Sequence, residues 1–484
     1  MVLVVDGLRP DAITPDDAPT LVRLRAEGVD FVDSHSVFPT VTRVNAATLV
    51  TGAQPASHGI VGNEMYVPAV EPTRAFSTQD YRHLVRLDDV TDGRLTRIPT
   101  LAERLHAHGL RLAAVSSGST GSAWLLNPRA GAGVGALVNG FFDPGKTVAY
   151  PRALSDSVLA RFGPAPAKGG GRYDAVVSWT QRVLREHVLP ELSPDVVFVW
   201  LTEPDHTQHA VGLGTPSARA AIRHADQEVA ALLQTLDATD VLVASDHGFT
   251  QNTAGVDVAG ELVAAGLKRS RASDDVVLAS SGQAVGLHVR DRTDTRIAEL
   301  VHFAHSRDWG GVLFTEGRAP SDPQGRVEGT FSLELIHAAG GDRAPDVLLT
   351  FPWTSEANAH GMRGTDLANV AAGGTPYASD HGSMSPWNVR NTLLAWGPHF
   401  KRGVRVGTPA GNVDVTPTVL ALLGLPAERL DGRVLHEALA GGPDPERVTA
   451  ERTIHTTAAG GYRAAIQVST VDGRRYVDKS WRID

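Results

Sequence analysis

The sequence predicts an α/β protein with a mainly parallel sheet flanked by helices. Short apolar runs typical of buried strands alternate with segments in which apolar residues recur at helical spacing. Several of the strand-like runs are followed directly by aspartate or histidine, as expected where the carboxyl ends of parallel strands carry a functional site. With 484 residues, the chain is long enough for one large α/β domain with insertions or for two domains.

The alternation of strand and helix begins at the first residue. Residues 1–6 form an apolar run that ends in Asp6, and residues 18–28 have helical periodicity and a terminal glycine. We expect further helix and strand pairs at residues 98–109 and 111–116, 173–192 and 196–201, and 215–236 and 241–244. The pattern returns in a strand over residues 392–396 and a helix over residues 415–423.

Residues 261–371 interrupt this rhythm with short strand-like pieces, one helix over residues 293–306 and turns rich in glycine and proline. We therefore predict an α/β catalytic core over residues 1–260 and 372–440, with an inserted cap subdomain over residues 261–371. Short β-prone segments around glycine turns predict a small antiparallel appendage over residues 441–484.

Composition excludes several classes of function. The formal net charge of -9 argues against nucleic acid as a bulk partner but permits a small phosphate ester or phosphonate as substrate. The chain has no cysteine, which excludes cysteine nucleophiles and thiolate metal sites. No apolar run approaches the roughly 18 residues of a membrane span, and the first residues lack the features of a secretory signal. We therefore expect a cytoplasmic protein unless an N-terminal segment has been trimmed.

Six side chains of metal-binding type lie at predicted strand ends or in adjacent loops. Zinc prefers imidazole nitrogen and carboxylate oxygen, and two ions about 4 Å apart need about six such ligands. Each motif alone is also common turn material, so the prediction depends on the whole set. The candidates are Asp6, Asp205, His209, Asp246, His247 and His381.

The spacing within these motifs adds detail. Asp205 and His209 are four residues apart, so one helical turn would bring both to the same side. Asp380 precedes His381 and could orient its imidazole.

A hydroxyl nucleophile needs a base or a metal ion to activate it. Thr42 precedes the helix-like segment RVNAATLVTG, so its hydroxyl would lie at a helix N-terminus, where backbone amides favour phosphate. Thr42 could instead be only the N-cap residue of that helix. Thr40 is an alternative for either role.

Taken in order, the motifs VLVVDGLRPD, FPTVTRVNAATLVTG, ASHGIVGN, EPDHTQH, SDHG and a second SDHG resemble the alkaline phosphatase superfamily. The most similar branch is that of the nucleotide pyrophosphatases and phosphodiesterases. The resemblance implies an alkaline-phosphatase-like fold and two Zn²⁺ ions, although such sites also bind Mn²⁺ and other divalent metals. Members of the family are often exported.

The resemblance divides the candidate ligands between two ions. One set, joined by the Thr42 oxygen, is Asp6, Asp246 and His247. The other set is Asp205, His209 and His381. Thr42 would attack phosphorus to form a covalent phospho-threonine, and the amide of Asn63 would donate to a phosphoryl oxygen. Asn63 could also be a turn residue after Gly62.

Nucleotide-cleaving members carry an aromatic residue immediately after the nucleophile, where this chain has Arg43. Arg43 could bind phosphate or carboxylate oxygens of a substrate, or it could be a solvated helix residue. Tyr66, Trp124 and Tyr377 could stack on a base, although such aromatics often pack in cores.

The sequence therefore predicts a two-zinc hydrolase that cleaves phosphodiester or pyrophosphate bonds. A phosphonoacetate-type phosphonate hydrolase or a phosphomonoesterase is an alternative, because Arg43 would suit a small anionic substrate. A catalytically silent metal-binding or phosphate-binding module is a second alternative, against which the complete ligand set argues. The sequence leaves the oligomeric state open.

Overall fold

The computed structural model describes residues 1–140, 149–166, 171–427 and 429–483. The strands of the first part are β1 Val2–Val5, β2 Val29–Phe31, β3 Ser34–His35, β4 Glu64–Met65, β5 Phe76–Ser77, β6 Leu112–Ser116, β7 Ala136–Asn139, β8 Ala149–Tyr150, β9 Val196–Leu201 and β10 Val241–Ala244. Those that follow are β11 Thr250–Val256, β12 Val276–Ser280, β13 Ala284–Val289, β14 Leu313–Thr315, β15 Phe331–Ser332, β16 Val347–Thr350, β17 Thr354–Ala357 and β18 Arg363–Asn369. The last are β19 Ser379–Asp380, β20 Leu393–Trp396, β21 Val404–Val406, β22 Ala410–Gly411, β23 Glu451–Ala459, β24 Tyr462–Val471 and β25 Arg474–Arg482.

The α-helices of the first half are α1 Pro19–Glu27, α2 Thr42–Thr51, α3 Pro55–His58, α4 Tyr81–Val90, α5 Leu101–Ala107, α6 Thr120–Leu126, α7 Arg152–Phe162 and α8 Asp174–Val183. A π-helical segment, Leu184–Leu192, continues α8. The later helices are α9 Asp205–Val211, α10 Pro216–Leu233, α11 Val258–Ala264, α12 Asp294–His305, α13 Pro386–Val389 and α14 Val415–Leu422. None of the helices in the described ranges has the length and apolar character needed to cross a membrane.

Nine strands form the central sheet, in the order β21-β2-β20-β10-β1-β9-β6-β7-β8. The inner strands β10, β1, β9, β6 and β7 run parallel to their neighbours in that series. Strands β20 and β8 are antiparallel to the strands beside them. The predicted class, a mainly parallel sheet flanked by helices, is confirmed.

Both faces of the central sheet are buried. Val2 and Val4 of β1 belong to a core that includes residues of α2, α4, α5 and α6, whereas Leu3 and Val5 point into a second core with residues of α1, α8 and α10. A strand that is buried on both faces is apolar throughout, which is why β1 has no polar alternation.

Five further sheets lie outside the central one in the described residues; two of them are the two-stranded pairs β22-β3 and β4-β5, and three are larger. One has the order β12-β13-β16-β14-β15, another the order β17-β18-β11-β19, and the third is the antiparallel sheet β23-β24-β25. The third confirms the small antiparallel sheet predicted near the C-terminus. The boundaries of a core at 1–260 and 372–440, a cap at 261–371 and an appendage at 441–484 stay a prediction.

The C-terminal sheet packs against two parts of the protein. Ile466 of β24 shares an apolar cluster with Phe314 and Phe331 of the five-stranded sheet. On another side, Tyr476 of β25 packs in a cluster with Val41, at the start of α2. The last strands of the chain therefore support the segment that carries Thr42.

Candidate active site

Three adjacent parallel strands bring the acidic and histidine motifs to one edge of the central sheet. Asp6 follows β1, and Asp246 and His247 follow β10. Asp205 is the first residue of α9, just after β9, and His209 lies one turn further along the helix, as the spacing predicts. Because β10, β1 and β9 are neighbours and parallel, their carboxyl ends lie side by side.

The sixth candidate ligand comes from a different sheet. Strand β11 starts at Thr250, shortly after His247, and pairs with β19 through Asp380. His381 follows β19 directly, and its ring stacks on that of His247 with centroids 3.6 Å apart. The second sheet thus completes a site that the first sheet begins.

Three aspartates each keep one carboxylate oxygen without a hydrogen bond. Trp200 Nε1 donates to Asp6 Oδ2 at 2.9 Å, and the amide of Gly7 donates to Asp246 Oδ1 at 3.0 Å. Within the described part of the chain, Asp6 Oδ1, Asp246 Oδ2 and Asp205 Oδ1 are buried and have no hydrogen-bond partner. Buried polar atoms of this kind are rare unless an ion, a water or a ligand satisfies them.

The three imidazoles are all held through Nδ1. In each ring this atom lies 3.0 Å from a backbone carbonyl oxygen, and the pairs are His209 with Ser379, His247 with Gly248, and His381 with Thr40. A carbonyl oxygen can only accept, so Nδ1 donates and the neutral ring keeps its lone pair on Nε2. This arrangement is the one that metal-binding histidines adopt.

One cluster combines Asp6, Asp246 and His247. Nε2 of His247 lies 3.1 Å from Asp246 Oδ2 and 3.7 Å from Asp6 Oδ1. The hydroxyl oxygen of Thr42 lies 3.3 Å from the same nitrogen. All four side chains are buried.

A second cluster surrounds Asp205. Its Oδ1 lies 3.4 Å from Nε2 of His209, 3.5 Å from Nε2 of His381 and 4.0 Å from Nε2 of His247. The last contact joins the two clusters. Asp380 also has an oxygen close to the nitrogens of His209 and His381, so it is a further residue of ligand type at this edge.

The predicted role of Asp380 is wrong in one respect. Its Oδ1 accepts a hydrogen bond from the backbone amide of His381 at 2.8 Å and lies 3.6 Å from Nδ1 of His209. The His381 ring is instead oriented by the carbonyl of Thr40. The carboxylate of Asp380 is close to the imidazole of His209.

The electrostatics of the two clusters favour a bound cation. Burial and the neighbouring Asp205 carboxylate raise the pKa of Asp6 well above its ordinary value. Burial lowers the pKa of His209, but the carboxylates of Asp205 and Asp380 and the carbonyl of Ser379 together raise it to about 9. Burial and the adjacent His247 ring lower the pKa of His381. Free carboxylate oxygens facing imidazole nitrogens at this spacing fit a donor set for divalent ions.

The two threonines of the FPTVT segment have different surroundings. Thr42 is the first residue of α2 and Val41 is the N-cap, so the alternative that Thr42 is only an N-cap is wrong. Thr40 Oγ1 donates to the carbonyl of Ser383 at 2.8 Å and accepts from the amide of Gly382 at 3.1 Å. The Thr40 hydroxyl therefore has a structural role, and Thr42 has the hydroxyl that faces the clusters.

Asn63 and Arg43 lie beside Thr42. Asn63 Oδ1 accepts from the backbone amide of Arg43 at 3.3 Å, which leaves the side-chain NH₂ of Asn63 as the group that can donate to a ligand. Both residues line a pocket of about 440 Å³ that also contains Asp6, Asp205 and Thr42. Arg43 is half-buried, which excludes a fully solvated position on the helix surface.

The pocket wall includes polar and aromatic residues that the sequence did not predict, namely Gln79, Ser119, Ser122, Tyr173 and His206. Tyr173 and His206 are in edge contact, with ring centroids 3.9 Å apart. Their proximity depends on Glu203, whose Oε1 accepts from the amide of Tyr173 at 2.8 Å and whose Oε2 accepts from the amide of Thr207 at 3.1 Å. The glutamate of EPDHTQH is the sequence signal for this contact.

Of the three aromatic residues considered from the sequence, Tyr377 lines the pocket. It is 62% exposed, and its ring centroid lies 4.9 Å from that of His209. Trp124 packs between Tyr81 and Tyr150, and Tyr66 packs against His288. Trp124 and Tyr66 therefore pack against other rings and do not line the pocket.

The chain is similar to known hydrolases of phosphate compounds. The family described as type I phosphodiesterase / nucleotide pyrophosphatase matches residues 1–355. Bis(5'-adenosyl)-triphosphatase enpp4 of Xenopus laevis is 26% identical over 265 residues, which cover 52% of this chain and 47% of the relative. Ectonucleotide pyrophosphatase/phosphodiesterase family member 7 of Homo sapiens is 23% identical over 256 residues, or 51% of this chain and 46% of the relative. The chain spans about half the length of these relatives.

A solved structure has a similar fold. Murine ectonucleotide pyrophosphatase / phosphodiesterase 5, in an inactive form in complex with AMP, has a TM-score of 0.62 and 18% sequence identity to this chain. The likeness covers 91% of this chain and 99% of that one. At this level of identity the likeness supports the fold.

Proposed function

This chain belongs to the type I phosphodiesterase / nucleotide pyrophosphatase family, and we propose from that premise that it hydrolyses a phosphodiester or pyrophosphate bond in a small substrate. Its relatives are named as a triphosphatase and as a pyrophosphatase/phosphodiesterase, which supports hydrolysis at phosphorus. One observation carries the proposal: three imidazole Nε2 atoms, three unpaired carboxylate oxygens and the Thr42 hydroxyl come together at one edge of the central sheet, next to the pocket.

Two divalent ions, zinc in the first instance, are part of this proposal. One would be held by Asp6, Asp246 and His247. The other would be held by Asp205, His209 and His381. When bound, the ions would stabilise negative charge on the phosphoryl oxygens and on the leaving oxygen. The free oxygens and Nε2 atoms described above support this donor set, and Mn²⁺ is an alternative ion for it.

Thr42 is the proposed nucleophile. Its oxygen would lose the hydroxyl proton to solvent and form a bond to phosphorus as the bond from phosphorus to the leaving group breaks, with the electron pair leaving on that group's oxygen. Water would then attack the phosphorus and lose a proton to solvent, the bond from phosphorus to the Thr42 oxygen would break, and that oxygen would take up a proton as phosphate or a phosphate monoester is released. Support comes from the place of Thr42 at the first turn of α2, where the helix dipole favours an anion, and from its distance of 3.3 Å to His247 Nε2.

Asn63 is the proposed donor to a non-bridging oxygen. Its Oδ1 is fixed by the amide of Arg43, so its NH₂ group is pre-oriented before substrate binds. A donor that needs no reorganisation stabilises the charge that develops in the transition state.

A substrate panel tests the proposed function. Bis-p-nitrophenyl phosphate, a nucleotide p-nitrophenyl ester, p-nitrophenyl phosphate and phosphonoacetate are assayed with zinc, with manganese and after chelation. We expect turnover of at least one diester that is lost on chelation and restored by metal. Activity that is insensitive to chelation would exclude the two-metal site.

The same panel separates the alternative functions. Turnover confined to p-nitrophenyl phosphate or phosphonoacetate would identify a phosphomonoesterase or a phosphonate hydrolase. Arg43 in the pocket is the observation that favours that second function. No turnover of any substrate, with metal content verified, would indicate a binding module.

A further inference from the structure

Arg43 lies in the pocket beside the proposed nucleophile. It follows Thr42 on α2 and lines the pocket, and its Nε is buried without a hydrogen-bond partner among the described residues. The Nε of Arg343 also lacks a partner, but its terminal nitrogens donate to the carbonyls of Gly59, Leu95 and Arg94, whereas the Arg43 guanidinium forms no hydrogen bond or ion pair with the described residues. A guanidinium group carries five donors in a fixed planar fork, and a buried Nε–H without a partner is costly.

The acidic groups near Arg43 do not supply a dedicated partner. Burial lowers its pKa, although the carboxylates of Asp6, Asp205, Asp246 and Glu64 act in the opposite direction. The first three belong to the clusters to which the proposed function assigns divalent ions, which would neutralise their charge. Glu64 Oε2 already accepts from the amide of Ser280 at 2.8 Å. With ions bound to those three carboxylates and Glu64 bonded to Ser280, Arg43 would have no anionic partner of its own among the described residues.

We propose that Arg43 is a specificity-determining residue that binds a second negative charge of the substrate, on or next to the phosphorus that Thr42 attacks. This inference rests on the proposed function. The substrate class is that of phosphate compounds with an additional anionic oxygen group at the reacting end. Such a group is present in a monoester dianion, in the neighbouring phosphate of a pyrophosphate and in a phosphonate with a carboxylate, but not in a singly charged diester. One guanidinium group can donate to two such oxygens at once through two parallel N–H groups.

A matched pair of substrates tests the inference. p-Nitrophenyl phosphate and methyl p-nitrophenyl phosphate have the same leaving group and differ by one methyl group and one negative charge. Arg43→Met keeps the apolar stem and removes the charge, and Arg43→Lys keeps the charge without the fork. We expect Arg43→Met to lose about 10- to 100-fold in kcat/KM for the dianion, the size of one charge-assisted hydrogen bond, and Arg43→Lys to recover part of it. Equal losses on both substrates would overturn the inference.

Binding measurements make the result independent of turnover. Titration calorimetry with inorganic phosphate and with dimethyl phosphate, in a Thr42→Ala background with measured metal content, compares the two charge states directly. The Arg43→Met change should weaken phosphate by about 10-fold or more and leave dimethyl phosphate unaffected. Unchanged phosphate affinity would overturn the inference, and it can do so even if no substrate is turned over and the proposed function fails.

Competitive inhibition and a control for overall charge are also measured. Pyrophosphate and phosphonoacetate, tested as competitive inhibitors, identify which source of the second charge Arg43 favours. Arg74→Met, at a side chain that is 77% exposed, removes one positive charge away from the pocket. It should leave kcat/KM for both substrates and the affinities for phosphate and dimethyl phosphate unchanged. A similar change in Arg74→Met would assign the effect to overall charge and contradict the role of Arg43.

Discussion

The hydroxyls of Thr40 and Thr42 have the same chemistry but different contacts. The Thr40 hydroxyl donates to the carbonyl of Ser383 and accepts from the amide of Gly382, so it fixes the backbone directly after His381. The Thr42 hydroxyl faces His247 Nε2. Substitution at the two positions should therefore affect different properties of the protein.

We predict that Thr42→Ala lowers turnover by more than about 10³-fold with little change in metal content, because it removes the atom that bonds to phosphorus. Thr40→Val should leave two buried backbone groups unpaired and lower the free energy of unfolding by about 1–3 kcal/mol, while turnover persists below the unfolding temperature. Steady-state kinetics, urea unfolding and metal analysis of both variants check this. Inactive Thr40→Val with active Thr42→Ala would reassign the nucleophile to Thr40.

The sequence predicts much of the site but not how its members are held. Asp6, His209 and His381 could be singled out because each is a ligand type at a strand end or one helical turn away. The support of the His209 ring by the carbonyl of Ser379 could not be predicted, since it depends on tertiary structure, namely the sheet pairing of β19 with β11. Tyr173 was missed for the same reason, because a contact with Glu203 brings it to the pocket.

At the scale of elements, the contact between β3 and β25 is one of several that join the C-terminal sheet to the core. His35 of β3 lies with Nε2 2.9 Å from Asp478 Oδ1 on β25, and with Nδ1 3.0 Å from the carbonyl of Ala410. Both ring nitrogens face acceptors, so the ring is doubly protonated. The neighbouring Tyr476 packs in one cluster with Val41 at the start of α2, which makes this junction relevant to the position of Thr42.

The pH dependence of this junction follows from the two pKa shifts. Burial opposes both shifts, but Asp478 raises the pKa of His35 above its ordinary value of 6.5, and His35 lowers the pKa of Asp478 below its ordinary value of 3.8. The contribution of His35 is complete below pH 6.5 and is lost as the pH rises through the raised pKa. That of Asp478 is present above pH 3.8 and is lost in stronger acid. The ion pair between His35 and Asp478 therefore stabilises the protein most between pH 3.8 and pH 6.5.

We predict that Asp478→Asn lowers the free energy of unfolding by about 1.5–3 kcal/mol at pH 5.5, because a hydrogen bond between charged groups is lost, and by less at pH 9. Urea unfolding at the two pH values checks this. Asp472→Asn, the same substitution at an exposed position in the turn between β24 and β25, is the matched control and should have little effect. A loss that is the same at both pH values would contradict a charged His35.

The elements that the sequence predicts best are those with one dominant burial pattern. Strands β1, β9 and β10 are continuous apolar runs because both faces of the sheet are covered. Strand β17 is exposed along its whole length and has no alternation, so it carries no periodic signal. Its place depends on pairing with β18, which is a tertiary contact.

At the scale of the whole molecule, the clusters connect distant parts of the chain. The ligand-type residues extend from Asp6 to His381, and two different sheets and α9 bring them to one edge of the central sheet. Without a bound cation, Asp6 and Asp246 share a buried place with a neighbouring like charge at Asp205. A cation at this edge would therefore stabilise the contacts between the sheets as well as the local carboxylates.

We predict that divalent metal raises the melting temperature of the whole protein by several degrees. An ion at a free concentration of about 1,000 times its Kd adds about 4 kcal/mol to the free energy of unfolding. Differential scanning calorimetry of the chelated protein, titrated separately with zinc and manganese, measures this effect and ranks the two ions. Asp205→Asn should lose much of the increment, since it removes the charge at the centre of the second cluster. Thr42→Ala should keep most of it, because the carboxylates and imidazoles remain. A melting temperature that does not change with metal, in protein shown to contain it, would mean that these clusters are structural polar networks and not metal sites.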